Sequence, residues 1–177
     1  MHAPLYSERE ADVIAPGAGG KASPYVAFSE LSAADFLLHE PPMVLLDRIV
    51  EVDRDGAVCT CLTGPDSLFC LPGLGVPSWV AIEFMAQCIA VSAGACARVE
   101  DRPIPLGMLL GTRQMKLGLD VFRAGGAYRV ESRLNFKDDS GMAAHECRVL
   151  DGTAVVAEAR LTAKEIQRSE DSDVQLP

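Results

Sequence analysis

The sequence predicts an α+β fold in which an antiparallel sheet curls around one long central helix, and three observations lead to it. The segment from Ser78 to Ala97, SWVAIEFMAQCIAVSAGACA, holds only two strongly polar side chains, Glu83 and Gln87. A helix apolar on nearly every face belongs inside a protein or a membrane. The chain beyond that segment reads as strands alone, separated by short turns that imply antiparallel neighbours. Two strands, one apolar helix and then four strands can bury the helix only if the sheet wraps it.

Taken in order, residues 1–24 mix Pro, Gly, Ser and charge without an apolar run and are read as a disordered tail. The polar, acidic stretch 167–177 is read as a second disordered tail. Residues 25–166 then form one domain of roughly 140 residues, enough for a substantial core. A short helix opens it, with Ser32 as the N-terminal cap and Asp35 in the first turn before Phe36, Leu37 and Leu38. Pro41 and Pro42 stop that helix. Met43 to Val52 reads as a first strand and Ala57 to Leu62 as a second, with a turn at Asp53-Arg54-Asp55-Gly56. Asp66 to Pro77 is rich in Pro and Gly and forms a loop into the long helix. The later strands span Leu106–Leu117, Ala127–Lys137, Met142–Leu150 and Ala154–Glu165. In the second of them Tyr128, Val130, Ser132, Leu134 and Phe136 alternate with Arg129, Glu131, Arg133, Asn135 and Lys137, the pattern of a sheet with one packed and one wet face. This architecture is the hotdog fold.

Composition narrows the function. The net charge of −9 disfavours nucleic acid and anionic lipid surfaces as partners. Six cysteines without a C-x-x-C pair, in a chain with no secretory pattern, read as reduced thiols of a cytoplasmic protein. Cys59 and Cys61 stand on a strand with no histidine nearby, so no metal site is expected. The long helix could span a bilayer by length, but an ionised Glu near its centre costs about 2.5–3.5 kcal/mol on insertion scales, which favours burial in a globular core over membrane insertion.

Two motifs carry a family resemblance. His39-Glu40-Pro41-Pro42 through Asp47-Arg48 resembles the H-x-x-P-x-x-x-x-D-R segment of bacterial 3-hydroxyacyl-(acyl carrier protein) dehydratases. Leu71-Pro72-Gly73 followed by Glu83-Phe84-Met85-Ala86-Gln87 resembles their H-F-P-G loop and E-A-M-A-Q helix. Gly107 to Arg113, GMLLGTR, is most similar to the dehydratase-like subunit of aryl polyene biosynthesis. The resemblance implies the hotdog fold and a hydro-lyase activity in fatty acid, polyketide or aryl polyene biosynthesis. It implies no cofactor beyond the phosphopantetheine that carries the substrate on an acyl carrier protein or coenzyme A.

One departure from the family matters most. Cys70 stands where the loop histidine should be, and the interval from Gly73 to Glu83 is one residue shorter. The chain holds three histidines, His2, His39 and His145, and none matches that position. Dehydration needs a base for the α-proton, an acid for the departing hydroxyl and donors to the thioester carbonyl. By residue match Glu83 is the acid, Cys70 sits at the position of the base, and Gly73, the Ser78 N–H and Gln87 contact substrate. A lone carboxyl in an apolar helix is expected to be desolvated, which suits acid catalysis, although a structural Glu83–Gln87 pair one turn apart fits the same pattern. In the family the acid and the base come from opposite subunits, so the missing histidine points to a heterodimer with a histidine-bearing hotdog homologue rather than a competent homodimer. An acyl thioesterase and a non-catalytic acyl-binding scaffold are the competing readings. The acidic carrier protein would dock on a basic patch drawn from Arg98, Arg102, Arg113, Lys116 and Arg123.

Overall fold

The computed structural model describes residues 23–166. The segments read as tails lie outside them, apart from Ser23 and Pro24, which lead into a 3-10 turn at Pro24–Phe28. A second 3-10 turn, Ala33–Phe36, precedes β1 (Ile49–Asp53), β2 (Gly56–Thr63), β3 (Val76–Pro77) and α1 (Ala81–Val99). After the helix come β4 (Leu106–Leu117), β5 (Val121–Phe122), β6 (Gly126–Lys137), β7 (Met142–Asp151) and β8 (Ala154–Ile166). Six strands form one antiparallel sheet in the order β1-β2-β6-β7-β8-β4, while β3 pairs with β5 alone. The helix α1 packs on β1, β2, β6, β7 and β8, so the sheet wraps it as expected for a hotdog domain.

The composition of α1 explains its place. Phe84, Met85, Cys88, Val91 and Ala95 are buried against the sheet, and each large side chain so buried contributes about 1.5–3 kcal/mol. The Cys88 thiol donates to the Ala57 carbonyl at 3.2 Å, on β2. By length and hydropathy Ser78–Val99 would pass as a membrane span, yet 67% of that window is buried within the protein. One stripe is left less covered: Glu83, Ala86, Ala90 and Ala93, which share a helix face.

The N-terminal turns cover the second half of α1. Arg98 holds them there, its guanidinium carbon 4.2 Å from the Phe36 ring centroid and its Nη2 donating to the Asp35 carbonyl at 2.9 Å. Gly94 permits the approach, because a Cβ there would overlap the Phe36 carbonyl oxygen.

Several local expectations are corrected. Ser32 occupies the N-cap position but makes no side-chain cap bond; the Ala33 N–H donates instead to the Asp47 carbonyl at 2.9 Å. The first strand starts at Ile49 rather than Met43, because the backbone at Met43 and Leu45 bonds to the Gln87 side chain on α1. In β6, Tyr128, Val130 and Ser132 are buried as expected, but a register shift between Leu134 and Phe136 leaves Phe136 61% exposed. The two-residue strands β3 and β5 went unread, being too short to show a pattern. The helical segment begins with a 3-10 turn at Ser78–Val80, and α1 runs two residues past Ala97.

On β7 the concave face carries Ala143, His145, Cys147 and Val149. The His145 Nδ1 is buried without a hydrogen-bond partner. Burial, with a smaller contribution from the Lys137 charge, pushes the His145 pKa down to about 4.

Both the Gly94 contact and the buried histidine are open to test. The Gly94→Ala variant should lose about 1–3 kcal/mol to overpacking, offset by up to about 1 kcal/mol of helix propensity, so its melting temperature by circular dichroism should fall by several degrees. A melting temperature equal to or above that of the wild type would show that Phe36 is not seated on the helix. For His145 the folded pKa lies below the unfolded value of 6.5, so the unfolded chain binds the extra proton first as pH falls. Stability should therefore be full above pH 6.5 and decline by up to about 3 kcal/mol toward pH 4. Denaturant melts of a His145→Leu variant should lack that portion of the acid sensitivity.

Candidate functional site

A cavity of about 510 Å³ lies between the open stripe of α1 and the inner ends of β4, β7 and β8. Its floor is Ala86, Ala90 and Ala93, small side chains that leave room above the helix. Glu83 and His39 line one end, and His145 with Lys137 and Arg102 lines another part of the wall. From Glu83 to Ala93 the helix axis rises by roughly 15 Å.

Two contacts hold Glu83. Its Oε1 accepts a hydrogen bond from Gln87 Nε2 at 2.8 Å, one helical turn on, and lies 3.5 Å from His39 Nε2. The side chain keeps 28% of its surface, so the full desolvation expected from the apolar helix is only partly realised. Gln87 is fully buried and sets the geometry: its Nε2 also donates to the Met43 carbonyl at 2.6 Å, and its Oε1 accepts the Leu45 N–H at 2.8 Å. Gln87 is thus a positioning residue behind Glu83, out of the substrate-contacting role first assigned to it. The structural Glu83–Gln87 pair is present, and within it Glu83 alone lines the cavity.

The motif segment that starts at His39 has a similar division of labour. His39 stands beside Glu83, whereas Asp47 ties the sheet, its Oδ2 accepting the Leu62 N–H at 2.6 Å. Burial raises the Asp47 pKa against the lowering effects of that hydrogen bond and of Arg48.

The remaining expected site residues lie apart from this cavity. Cys70 is half-buried on the loop before β3, with its thiol 4.0 Å from the Leu71 carbonyl, and does not line the cavity. Gly73, at φ +74°, turns the loop between Leu71 and Gly75 and meets nothing within 4 Å of a built Cβ. The close approach belongs to Gly75, where a Cβ would overlap the Phe122 carbonyl oxygen. The Ser78 N–H is spent within the chain, donating to the Asp120 carbonyl at 2.9 Å, which corrects its assignment as a donor to substrate. The expected basic patch is also corrected. Arg102 pairs with Glu100 and Glu165, Lys116 with Glu158 and Arg123 with Asp151, while Arg98 is engaged by Asp35 and Phe36, which leaves Arg113 as the exposed, uncommitted member of the five.

Sequence reasoning missed two histidines as cavity residues. His39 was legible, since its motif is the one that packs beside the helix carboxylate. His145 was legible too: Ala143, His145, Cys147 and Val149 alternate, which puts the imidazole on the packed face of its strand. A solvent-exposed apolar group around the loop, Leu71, Leu74 and Trp79 with Phe69 edge-on to the indole at 6.0 Å, also went unremarked. Among the described residues no group of three or more His, Cys, Asp or Glu side chains is arranged to hold a metal ion.

Comparison with known proteins agrees with the fold. A chain of the dehydratase heterocomplex ApeI:P from Xenorhabdus doucetiae superposes with a TM-score of 0.70 at 28% identity, covering 78% of this chain and 93% of that one. More remote matches share the fold alone. A hypothetical thioesterase from Streptococcus pneumoniae solved with coenzyme A gives a TM-score of 0.54 at 11% identity, covering 69% of this chain and 88% of that one. AziG from S. sahachiroi gives 0.54 at 12% identity, covering 68% and 91%. No protein with a curated description matches the sequence significantly. The ApeP-like model, described as ApeP dehydratase, matches residues 31–174, a span holding the His39 segment, the Glu83 helix and every strand of the sheet, and the chain belongs to that family.

Proposed function

We propose that this protein is the acid-bearing subunit of a 3-hydroxyacyl thioester dehydratase of the aryl polyene type, completed by a histidine-bearing hotdog partner. The observation that carries the reading is Glu83: a carboxyl fixed by Gln87 and His39 at the wall of an apolar cavity, with no second imidazole beside it among the described residues. Elimination breaks the C2–H bond toward a base, forms the C2–C3 double bond and releases the C3 hydroxyl. Glu83 supplies the proton with which that hydroxyl leaves as water, and the proton the base took from C2 makes good that loss, by way of solvent, before the next turnover. The base must then come from another chain. A homodimer would carry two carboxyls and no base, whereas a heterodimer has one complete site.

The edge strand β4 supports such a partner. Leu106, Met108, Leu109 and Leu110 are all between 39% and 50% exposed, and an exposed apolar edge with an unpaired backbone is a template for another strand. The match to a heterocomplex chain points the same way. The substrate rides on phosphopantetheine of an acyl carrier protein or coenzyme A. All six cysteines are free thiols, in keeping with a cytoplasmic site of action.

The test is to purify the chain alone and with candidate histidine-bearing partners, then monitor enoyl thioester formation. The complex should be active and the isolated chain inactive. A Glu83→Gln complex should lose about 10²- to 10⁴-fold in kcat, the usual contribution of a positioned acid. Strong activity from the isolated chain that survives Glu83→Gln would refute the reading. Release of free thiol in place of enoyl product would identify a thioesterase, and a complex indifferent to Glu83→Gln would identify a scaffold.

A further inference from the structure

The two edges of the six-stranded sheet differ in what covers them. At β1 the N-terminal turns cover the start of the strand: the Glu30 N–H donates to the Ile49 carbonyl at 2.7 Å, the Ile49 N–H donates to the Leu31 carbonyl at 3.0 Å, and Ser32 bridges to Arg48. At the other edge β4 runs for twelve residues with no strand on its outer side among the described residues. Its apolar first half is exposed, and Leu106, Gly107, Met108 and Leu109 also line the cavity. A strand laid along β4 therefore walls the proposed site as well.

Charge decides which strand can lie there. The sequence of β4, LGMLLGTRQMKL, holds two cations and no carboxylate. Lys116 is spent on Glu158 at 2.7 Å, whereas Arg113 is exposed and uncommitted. A bulge fixes its place: Thr112 pairs with Leu161 and Met115 with Ala159, so Arg113 and Gln114 together oppose Arg160. The Thr112 hydroxyl pins that bulge, lying 2.9 Å from the Gln114 carbonyl and 2.8 Å from the Arg160 carbonyl. Arg160 is itself a cation, paired with Glu146 at 2.6 Å. Arg113 thus has a cation across the ladder and another along its own strand, and the carboxylates that face those two are taken.

A second copy of the chain supplies no answer to it. Two β4 strands paired antiparallel about a two-fold axis at the strand's middle put the Arg113 positions within roughly 10 Å of each other, at about 3.3 Å per residue. Each strand brings cations and neither brings a carboxylate. Like charges so placed oppose the pairing, and Arg113 loses water without gaining a counter-charge. A strand with a carboxylate facing Arg113 turns the same position into an ion pair.

We propose that Arg113 sets the choice of partner at this edge, disfavouring a second copy of the chain and accepting a hotdog strand that presents a carboxylate. The inference rests on the proposed pairing with a histidine-bearing subunit, and adds the chemistry by which that subunit is chosen over the chain's own copy. Arg113 acts in recognition alone and takes no part in proton transfer.

Association constants from analytical ultracentrifugation at low and high salt test this, first with the chain alone. The Arg113→Leu variant should self-associate roughly tenfold or more tightly than the wild type. An equimolar mixture of wild type and Arg113→Glu supplies a carboxylate for the arginine, and should associate roughly tenfold or more tightly than either chain by itself. That gain should shrink as salt is added. With each histidine-bearing hotdog candidate co-expressed with the chain, Arg113→Glu should lose roughly tenfold or more in affinity, whereas Arg113→Lys keeps most of it. The side chain is exposed, so every variant should melt with the wild type, which separates lost recognition from lost folding. A mixture that gains nothing over the wild type overturns the inference, and so does a partner that binds Arg113→Glu as tightly as the wild type. A charge-selected complex that does not dehydrate would leave the inference standing and remove the proposed reaction. A dehydrating complex indifferent to Arg113 would do the reverse.

Discussion

The functional half of this structure depends on one buried amide. Gln87 has no solvent exposure, and its two N–H groups and its carbonyl oxygen are shared among Met43, Glu83 and Leu45. Those bonds do three things together. They satisfy backbone groups that have left the sheet, fix the segment after His39 along α1, and orient the carboxyl that the proposed chemistry requires. A substitution that removed the amide would strand several buried polar groups at once, each costing about 1–3 kcal/mol. The role cannot pass to a hydrophobic side chain of equal size, because the backbone of Met43 and Leu45 would have no partner.

This dependence also explains where the sequence was a good guide and where it was not. The strands β6, β7 and β8 were legible to within a residue, because Gly125-Gly126, Asp138 to Gly141 and Asp151-Gly152 punctuate them and alternation fills the intervals. The helix was legible from composition alone. The start of β1 was not, since the backbone at Leu45 is claimed by a side chain 42 positions away. The Ser78 N–H likewise has its fate decided by Asp120, on the far side of the β4 strand in sequence. Glu83 and Gln87 stood out as lone polar residues in an apolar run. The basic patch was only partly legible, because like charges spread along a sequence give no sign of which carboxylates tertiary structure sets beside them, as Glu158 sits beside Lys116.

The small residues of α1 acquire a reason in the same frame. Gly94 is forced by the Phe36 carbonyl, whereas Ala86, Ala90 and Ala93 are only partly buried and open onto the cavity. One helix therefore carries two kinds of small residue: those that let the chain's own backbone close in, and those that leave space for something else. Larger side chains at Ala86 or Ala90 would fill the core better in the thermodynamic sense and abolish the groove. The unfilled stripe marks a surface kept open at the expense of packing.

On the proposed reading, a subunit without the loop histidine that keeps Glu83 at the cavity wall and His145 facing into the same cavity is more than a scaffold. Support for a partner requires only an edge such as β4, and nothing in that role maintains Glu83 at the cavity wall or His145 unpaired inside it. Both are costly in a free protein, the first through partial desolvation and the second through a hydrogen bond not made. On the proposed reading the complex divides its labour accordingly: the partner supplies the base, while this chain supplies the acid.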